Sequence, residues 1–93
     1  MDALRAIRFR VRGRVQGVGY RWHAVRAARA EGLSGWVRNL PDGTVEALAA
    51  GEEAALARFR AALASGPPAS SVDAVEEIES SAAGLEPGRF EIG

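Results

Sequence analysis

A chain of 93 residues, 47% hydrophobic and 26% charged, can close one small hydrophobic core but not two, and its composition is not that of a disordered chain. It has neither cysteine nor lysine, which excludes disulfides, thiolate metal sites, a cysteine nucleophile, Schiff-base chemistry and a Walker-type lysine. The formal charge is zero but segregated: up to Leu40 nine Arg stand against Asp2 and Glu31, and from Pro41 three Arg stand against ten acids, which predicts halves that meet in space and a positive field around the first.

No segment offers about 18 consecutive apolar residues, and MDALRAIRFRVRG lacks the apolar core of a signal peptide. The expectation is a single domain over residues 1–93, cytoplasmic, monomeric and without membrane contact.

From Ala6 the chain alternates, with Ile7, Phe9 and Val11 on one side and Arg8, Arg10 and Arg12 on the other, as in a strand with one buried and one wet face. The stretch GRVQGVGYR interrupts this pattern. After it, Trp22, Val25 and Ala28 fall at helical spacing, Ala24 and Ala27 fill in, and Gly32 stops the run, predicting a helix over Trp22–Glu31. GWVRN and TVEALAAG, joined through Pro41, Asp42 and Gly43, read as a hairpin.

Glu52 and Glu53 open a second helix where its dipole favours acids, and Ala55, Leu56, Phe59, Ala62 and Leu63 make its apolar stripe until GPP ends it. A fourth strand is expected over Ser71–Glu79. Its Val72, Val75 and Ile78 do not alternate, which points to a bulge or a twisted edge. Phe90 and Ile92 form a short last strand after the turn at Pro87 and Gly88. The order β-α-β-β-α-β plus a terminal strand is that of an α+β, ferredoxin-like sandwich, an antiparallel sheet with both helices on one face.

The glycine stretch lies between a strand and a helix N-terminus, where unpaired N–H groups and the dipole favour an anion. Gly17 and Gly19 allow positive φ and a nest of N–H donors, and Arg21 adds a planar fork matched to phosphate oxygens. Spacing alone leaves two readings open, a phosphate cradle and a tight turn whose glycines relieve strain. The second feature is Asn39, an amide at the end of a strand that neighbours this loop in a ferredoxin-like sheet.

With both pieces in view, the chain resembles the acylphosphatase family. VRGRVQGVGYR corresponds to its first signature and GWVRNLPDGTVEALAAG to its second, with the glycines, Val15, Gln16, Val18, Arg21, Asn39 and Val45 in the expected places. Tyr20 departs from the usual Phe or Met, and its hydroxyl needs a partner or solvent.

The resemblance implies hydrolysis of acyl phosphates to a carboxylate and inorganic phosphate. It gives phosphate binding to the main chain of Val15, Gln16, Gly17, Val18, Gly19 and Tyr20 with the guanidinium of Arg21, and positioning of the attacking water to Asn39. No metal and no cofactor are implied, and the partners are a small acyl phosphate and inorganic phosphate. The alternative is a non-catalytic acylphosphatase-like domain that binds acyl or carbamoyl phosphate or a protein partner.

The chemistry fits on separate grounds. A carboxylate leaving group, with a conjugate-acid pKa of about 4, departs at neutral pH without a general acid. Phosphoryl transfer then asks the protein for positioning and charge stabilisation.

Other residues carry plainer readings. His23 is either a substrate contact or base, or a partly exposed helix residue. Trp22 and Trp36 read as core or rim packing, Asp42 and Thr44 as turn chemistry, and Arg38 as a surface ion pair. Arg8, Arg10 and Arg12 read as cross-strand partners of Glu46, Glu76 or Glu77, or as a nucleic-acid surface. The latter asks for aromatics on the central strands, and TVEALAAG has none, so no nucleic acid is expected.

Overall fold

The computed structural model describes residues 4–93; Asp2, counted in the charge of the first half, lies outside them. The elements follow the expected order: β1 (Leu4–Arg14), α1 (Tyr20–Ala30), β2 (Ser34–Asn39), β3 (Val45–Glu52), α2 (Glu53–Ser65), β4 (Ser71–Ser80) and β5 (Phe90–Ile92). They form a five-stranded sheet in the order β4-β1-β3-β2-β5, with both helices on one face.

The four longer strands are antiparallel, but β5 runs parallel to β2, so the expected antiparallel sheet is mixed at this edge. The reason is topological. β4 finishes at the end of the sheet where β1 begins, since Ser80 pairs with Ala6. The following segment crosses that end, so β5 starts there and brings Gly93 to the opposite end, where the glycine loop lies.

Alternation along β1 sorts the faces as expected. Ile7, Phe9 and Val11 are buried under the helices with Val37, Val45, Ala47 and Ala49. Phe59 of α2 meets Phe9 edge-on at 5.5 Å between ring centroids and Phe90 at 5.7 Å, linking the centre of the sheet to its short fifth strand. The irregularity expected in β4 is a bulge: Arg12 pairs with Ala74 and Gly13 with Val72, so Asp73 is the extra residue. It lets Val72 and Val75, three apart, both pack on the core, while Ile78 stays on the outer face, 68% exposed.

The segregated charges pair across the two halves. Glu46, 3% exposed, stands between Arg10 and Arg38 on the outer face. Arg38 donates to its Oε1 at 2.7 and 3.0 Å, and Arg10 and Arg8 approach Oε2 at 3.7 and 3.9 Å. Arg12 pairs with Glu76 at 3.0 Å, and Arg5 with Glu53 and Glu79. Glu77 points to the helix face and pairs with Arg60 of α2, so it is not a partner of the arginine row. Trp36 packs on the small outer cluster of Ala6, Leu48 and Ala50, with the Arg38 guanidinium 4.6 Å from its ring centre.

α1 begins two residues earlier than apolar spacing predicts, at Tyr20, because Gly19 takes the N-cap position with φ 78°. Its buried stripe is Tyr20, Ala24, Val25 and Ala28; Trp22 falls outside it. The first turn is fixed to the end of α2, where Ala62 O already accepts the Gly66 N–H and Leu63 O lies in the last turn, whose carbonyls run out of helical donors. The Tyr20 hydroxyl donates to Leu63 O at 2.7 Å, and His23 Nε2 lies 2.8 Å from Ala62 O, so that nitrogen carries the hydrogen.

Burial pushes the Tyr20 phenol well above its ordinary pKa of about 10. The neutral form is the one the fold accommodates, so its contribution is intact below about pH 10 and is lost as pH rises beyond it. Tyr20→Phe should be about 1 kcal/mol less stable near neutrality, with Leu63 O left unpaired, and should lack this alkaline component. Urea midpoints of both proteins at about pH 7 and about pH 11 check this; parallel losses on going alkaline would refute it.

Candidate active site

The end of β1, the start of α1 and the end of β2 meet around a cavity of about 80 Å³ lined by Val15, Gly17, Gly19, Tyr20, Arg21, Trp22 and Asn39. Arg21 and Asn39, which come from separate signatures in the sequence, therefore face one space. The cause is the antiparallel order: β1 runs toward this end, and so does β2, on the other side of β3.

The loop owes its shape to two glycines. Gly17 and Gly19 have φ of 75° and 78°, and Val18 between them keeps negative φ, an alternation that turns successive N–H groups to one side. A Cβ at either glycine would meet nothing within 4 Å, so the requirement is on backbone conformation and not on space. The first helical bond of α1 is His23 N–H to Gly19 O at 3.1 Å, which leaves the N–H groups of Tyr20, Arg21 and Trp22 outside the helical ladder. No side chain caps them and no acid stands in the first turn, so the positive end of the dipole is unopposed from within the helix.

Arg21 donates one Nη1 hydrogen to the main-chain oxygen of Gly93 at 2.6 Å, and Gly93 N–H donates to Val37 O at 2.7 Å. The end of the fifth strand thus aims the guanidinium, whose remaining N–H groups are available to a ligand. Among the described residues Arg21 has no Asp or Glu side chain as partner, and neither do Arg14, Arg26 and Arg29. The outer-face arginines do have carboxylate partners, Arg8, Arg10 and Arg38 sharing Glu46 and Arg12 meeting Glu76.

Not every residue named from the sequence lines the cavity. Val18 is half-buried against the main core, and Val15 is fully buried at the cavity floor. His23 turns its Nε2 to α2 and is not among the lining residues. Gln16 has a role that its place in the motif did not disclose: its Nε2 donates both hydrogens, to Leu40 O at 2.7 Å and Thr44 O at 2.9 Å. These oxygens belong to the turn that follows Asn39, so the amide ties the glycine loop to the hairpin.

That turn is itself closed by Leu40 N–H to Thr44 O at 2.9 Å. The Thr44 hydroxyl and N–H donate to Asp42 at 2.6 and 2.9 Å, which holds the Asp42 carboxyl below the usual carboxylate range. The turn chemistry read from Asp42 and Thr44 is therefore present. Among the described residues no three His, Cys, Asp or Glu side chains gather as a metal site, and no helix is long and apolar enough to cross a membrane.

Comparison with known proteins follows the same lines. The family model described as Acylphosphatase matches residues 7–92. A relative named acylphosphatase from Azoarcus sp. (strain BH72) is 56% identical over 75 residues, which cover 81% of this chain and 76% of that one. The crystal structure of acylphosphatase from Bacillus subtilis superposes with a TM-score of 0.89 at 43% identity, covering 98% of this chain and 99% of that one. A solved HypF from T. kodakarensis contains a similar unit, with a TM-score of 0.83 at 31% identity over 96% of this chain but 12% of that much longer one.

The Gln16 tie gives a stability prediction. Gln16→Ala removes two hydrogen bonds, while Leu40 O keeps the Gly43 N–H and Thr44 O keeps the Leu40 N–H, and it should cost about 1–2 kcal/mol. Gln16→Glu places a carboxylate against the same two oxygens, which raises its folded pKa; its deficit relative to wild type should be full above that raised pKa and shrink as pH falls toward the ordinary Glu value of about 4.3, where the carboxyl regains one donor. Paired urea titrations at each pH read this difference, and a pH-independent gap for Gln16→Glu would count against the tie.

Proposed function

The chain belongs to the acylphosphatase family, and we infer that it acts as an acylphosphatase, a hydrolase of the acid anhydride in acyl phosphates that releases a carboxylate and inorganic phosphate. The observation that supports this most directly is one small cavity flanked by two positive-φ glycines, an arginine with free donors and an amide from a separate hairpin.

In this reading the phosphoryl group sits on the N–H groups of the loop from Val15 to Tyr20 and on Arg21. The guanidinium and the main-chain donors stabilise charge on the equatorial oxygens, and they are held before substrate arrives, by Gly93 in one case and by the glycine conformations in the other. Asn39 holds the attacking water. The water oxygen bonds to phosphorus as the bond from phosphorus to the acyl oxygen breaks, and that electron pair leaves on the carboxylate. The water proton passes to a phosphate oxygen.

The carboxylate departs unprotonated, so neither a general acid nor a metal is required for it. His23 takes no part, since its Nε2 is engaged with Ala62 O and the ring lies off the cavity lining. Action as a monomer in the cytoplasm, on small acyl phosphates and not on nucleic acid or membrane, belongs to the same proposal.

Steady-state hydrolysis of benzoyl phosphate, with and without EDTA, is the primary test. Turnover should be unchanged by the chelator, and Arg21→Ala should lower kcat/KM by at least about 10²-fold, as deletion of one transition-state donor does. Asn39→Ala should lower kcat while inhibition by inorganic phosphate holds, because the amide acts on water and not on the phosphoryl group. Phosphate binding without turnover by the wild-type chain would replace this function with a binding role, and a near-normal Arg21→Ala would remove Arg21 from the mechanism.

A further inference from the structure

The cavity is too small to enclose a substrate with a bulky acyl part. At about 80 Å³ it falls well below the ~300–1,000 Å³ of pockets that enclose a drug-sized ligand. A phosphoryl group bound in it leaves its acyl part outside, against whatever stands on the rim.

The lining residues offer few choices for that contact. Gly17 and Gly19 have no side chain, Val15 is buried, and Tyr20 is buried with its hydroxyl committed to Leu63. Arg21 and Asn39 are polar and face the reacting group. Trp22 alone is large, apolar and accessible, with 56% of its surface exposed.

Packing does not account for it. Trp22 stands outside the buried stripe of α1. The other large hydrophobics exposed among the described residues, Leu4 and Ile78, lie at the start of β1 and on the outer face of the sheet, so Trp22 is not part of a wider apolar patch. An indole left in water beside a polar cavity forgoes the burial that usually fixes tryptophan in a fold.

Resting on the acylphosphatase reading above, we propose that the Trp22 indole is the acyl-group contact of this site and sets a preference for acyl phosphates whose acyl part is planar and apolar, aromatic ones above all, over small or charged ones. The bound phosphoryl group fixes the carboxyl carbon at the cavity mouth, and Trp22, next in the chain to Arg21, offers the ring face on which a planar acyl group stacks. The contact is made away from the breaking bond, equally in ground and transition states, so it acts on KM and not on kcat.

The test compares benzoyl phosphate with acetyl phosphate for the wild type, Trp22→Phe and Trp22→Ala. Trp22→Ala should lower the benzoyl-to-acetyl ratio of kcat/KM by about 3- to 10-fold, through KM for benzoyl phosphate, and Trp22→Phe should restore most of it. Inhibition by inorganic phosphate should move less than about twofold, which separates loss of an acyl contact from damage to the cradle. A ratio unchanged in Trp22→Ala, or a loss shared equally by both substrates, overturns the proposal and leaves the acylphosphatase reading standing. Hydrolysis of neither substrate by the wild type overturns both. Thermal melts of the variants, exposed at this position and helix-compatible, confirm that folded proteins are compared.

Discussion

Gln16 has one amide nitrogen with two hydrogens, and by giving both to main-chain oxygens of Leu40 and Thr44 it makes one body of the loop after β1 and the turn after β2. Those two segments are joined by no strand pairing, since β3 lies between β1 and β2 in the sheet. Asn39 is already placed by its pairing with Val45, which stands opposite Val11, and the amide adds a direct tie between the two segments beside the cavity. Two acceptors facing one point call for a group with two donors on one atom, which an amide supplies and a carboxylate of the same shape does not. The hairpin side is equally prepared, with Asp42 held ionised by the Thr44 hydroxyl and N–H.

Electrostatics complete what this tie begins. An arginine-rich half brings its charge to the sheet, and carboxylates of the second half meet the outer row, the buried Glu46 facing three of its arginines. A buried carboxylate beside three guanidinium groups is compensated, and no Asp or Glu side chain takes the corresponding place beside Arg21. Arg21 instead meets a main-chain oxygen of Gly93, which orients the guanidinium without occupying all of its donors. The parallel fifth strand matters for this reason: had β5 run the other way, its end would lie far from the glycine loop.

Much of this is legible in the residues. Alternation in β1, the stripe of α2 and the turn at Asp42 locate the elements, and the spacing of two signatures is enough to bring Arg21 and Asn39 together. What escapes depends on partners distant in sequence. Local spacing cannot reveal that Gln16 reaches over to Leu40 and Thr44, that β5 crosses to the β2 edge, or that Gly93 aims Arg21. Apolar periodicity also picks Trp22 as the first member of α1, when the conformation of Gly19 and the burial of Tyr20 set the helix two residues earlier. The same periodicity makes Trp22 look like packing, since an apolar residue at helical spacing gives no sign that its neighbourhood ends at a cavity.

This difference explains why the glycine stretch is so informative. A site made of side chains is recorded in the sequence as residue types, which many folds reuse for other purposes. A site made of main-chain N–H groups is recorded as conformational permission, and here that permission is specific: positive φ at 17 and 19, ordinary φ at 18, and open space where each missing Cβ would stand. A strain-relieving turn accounts for glycines at these positions, but it gives no account of an uncapped helix start, an arginine without an Asp or Glu partner and an amide delivered from another strand to the same 80 Å³. The cradle reading accounts for all of them by one physical requirement, that negative charge be met by donors fixed in place before it arrives.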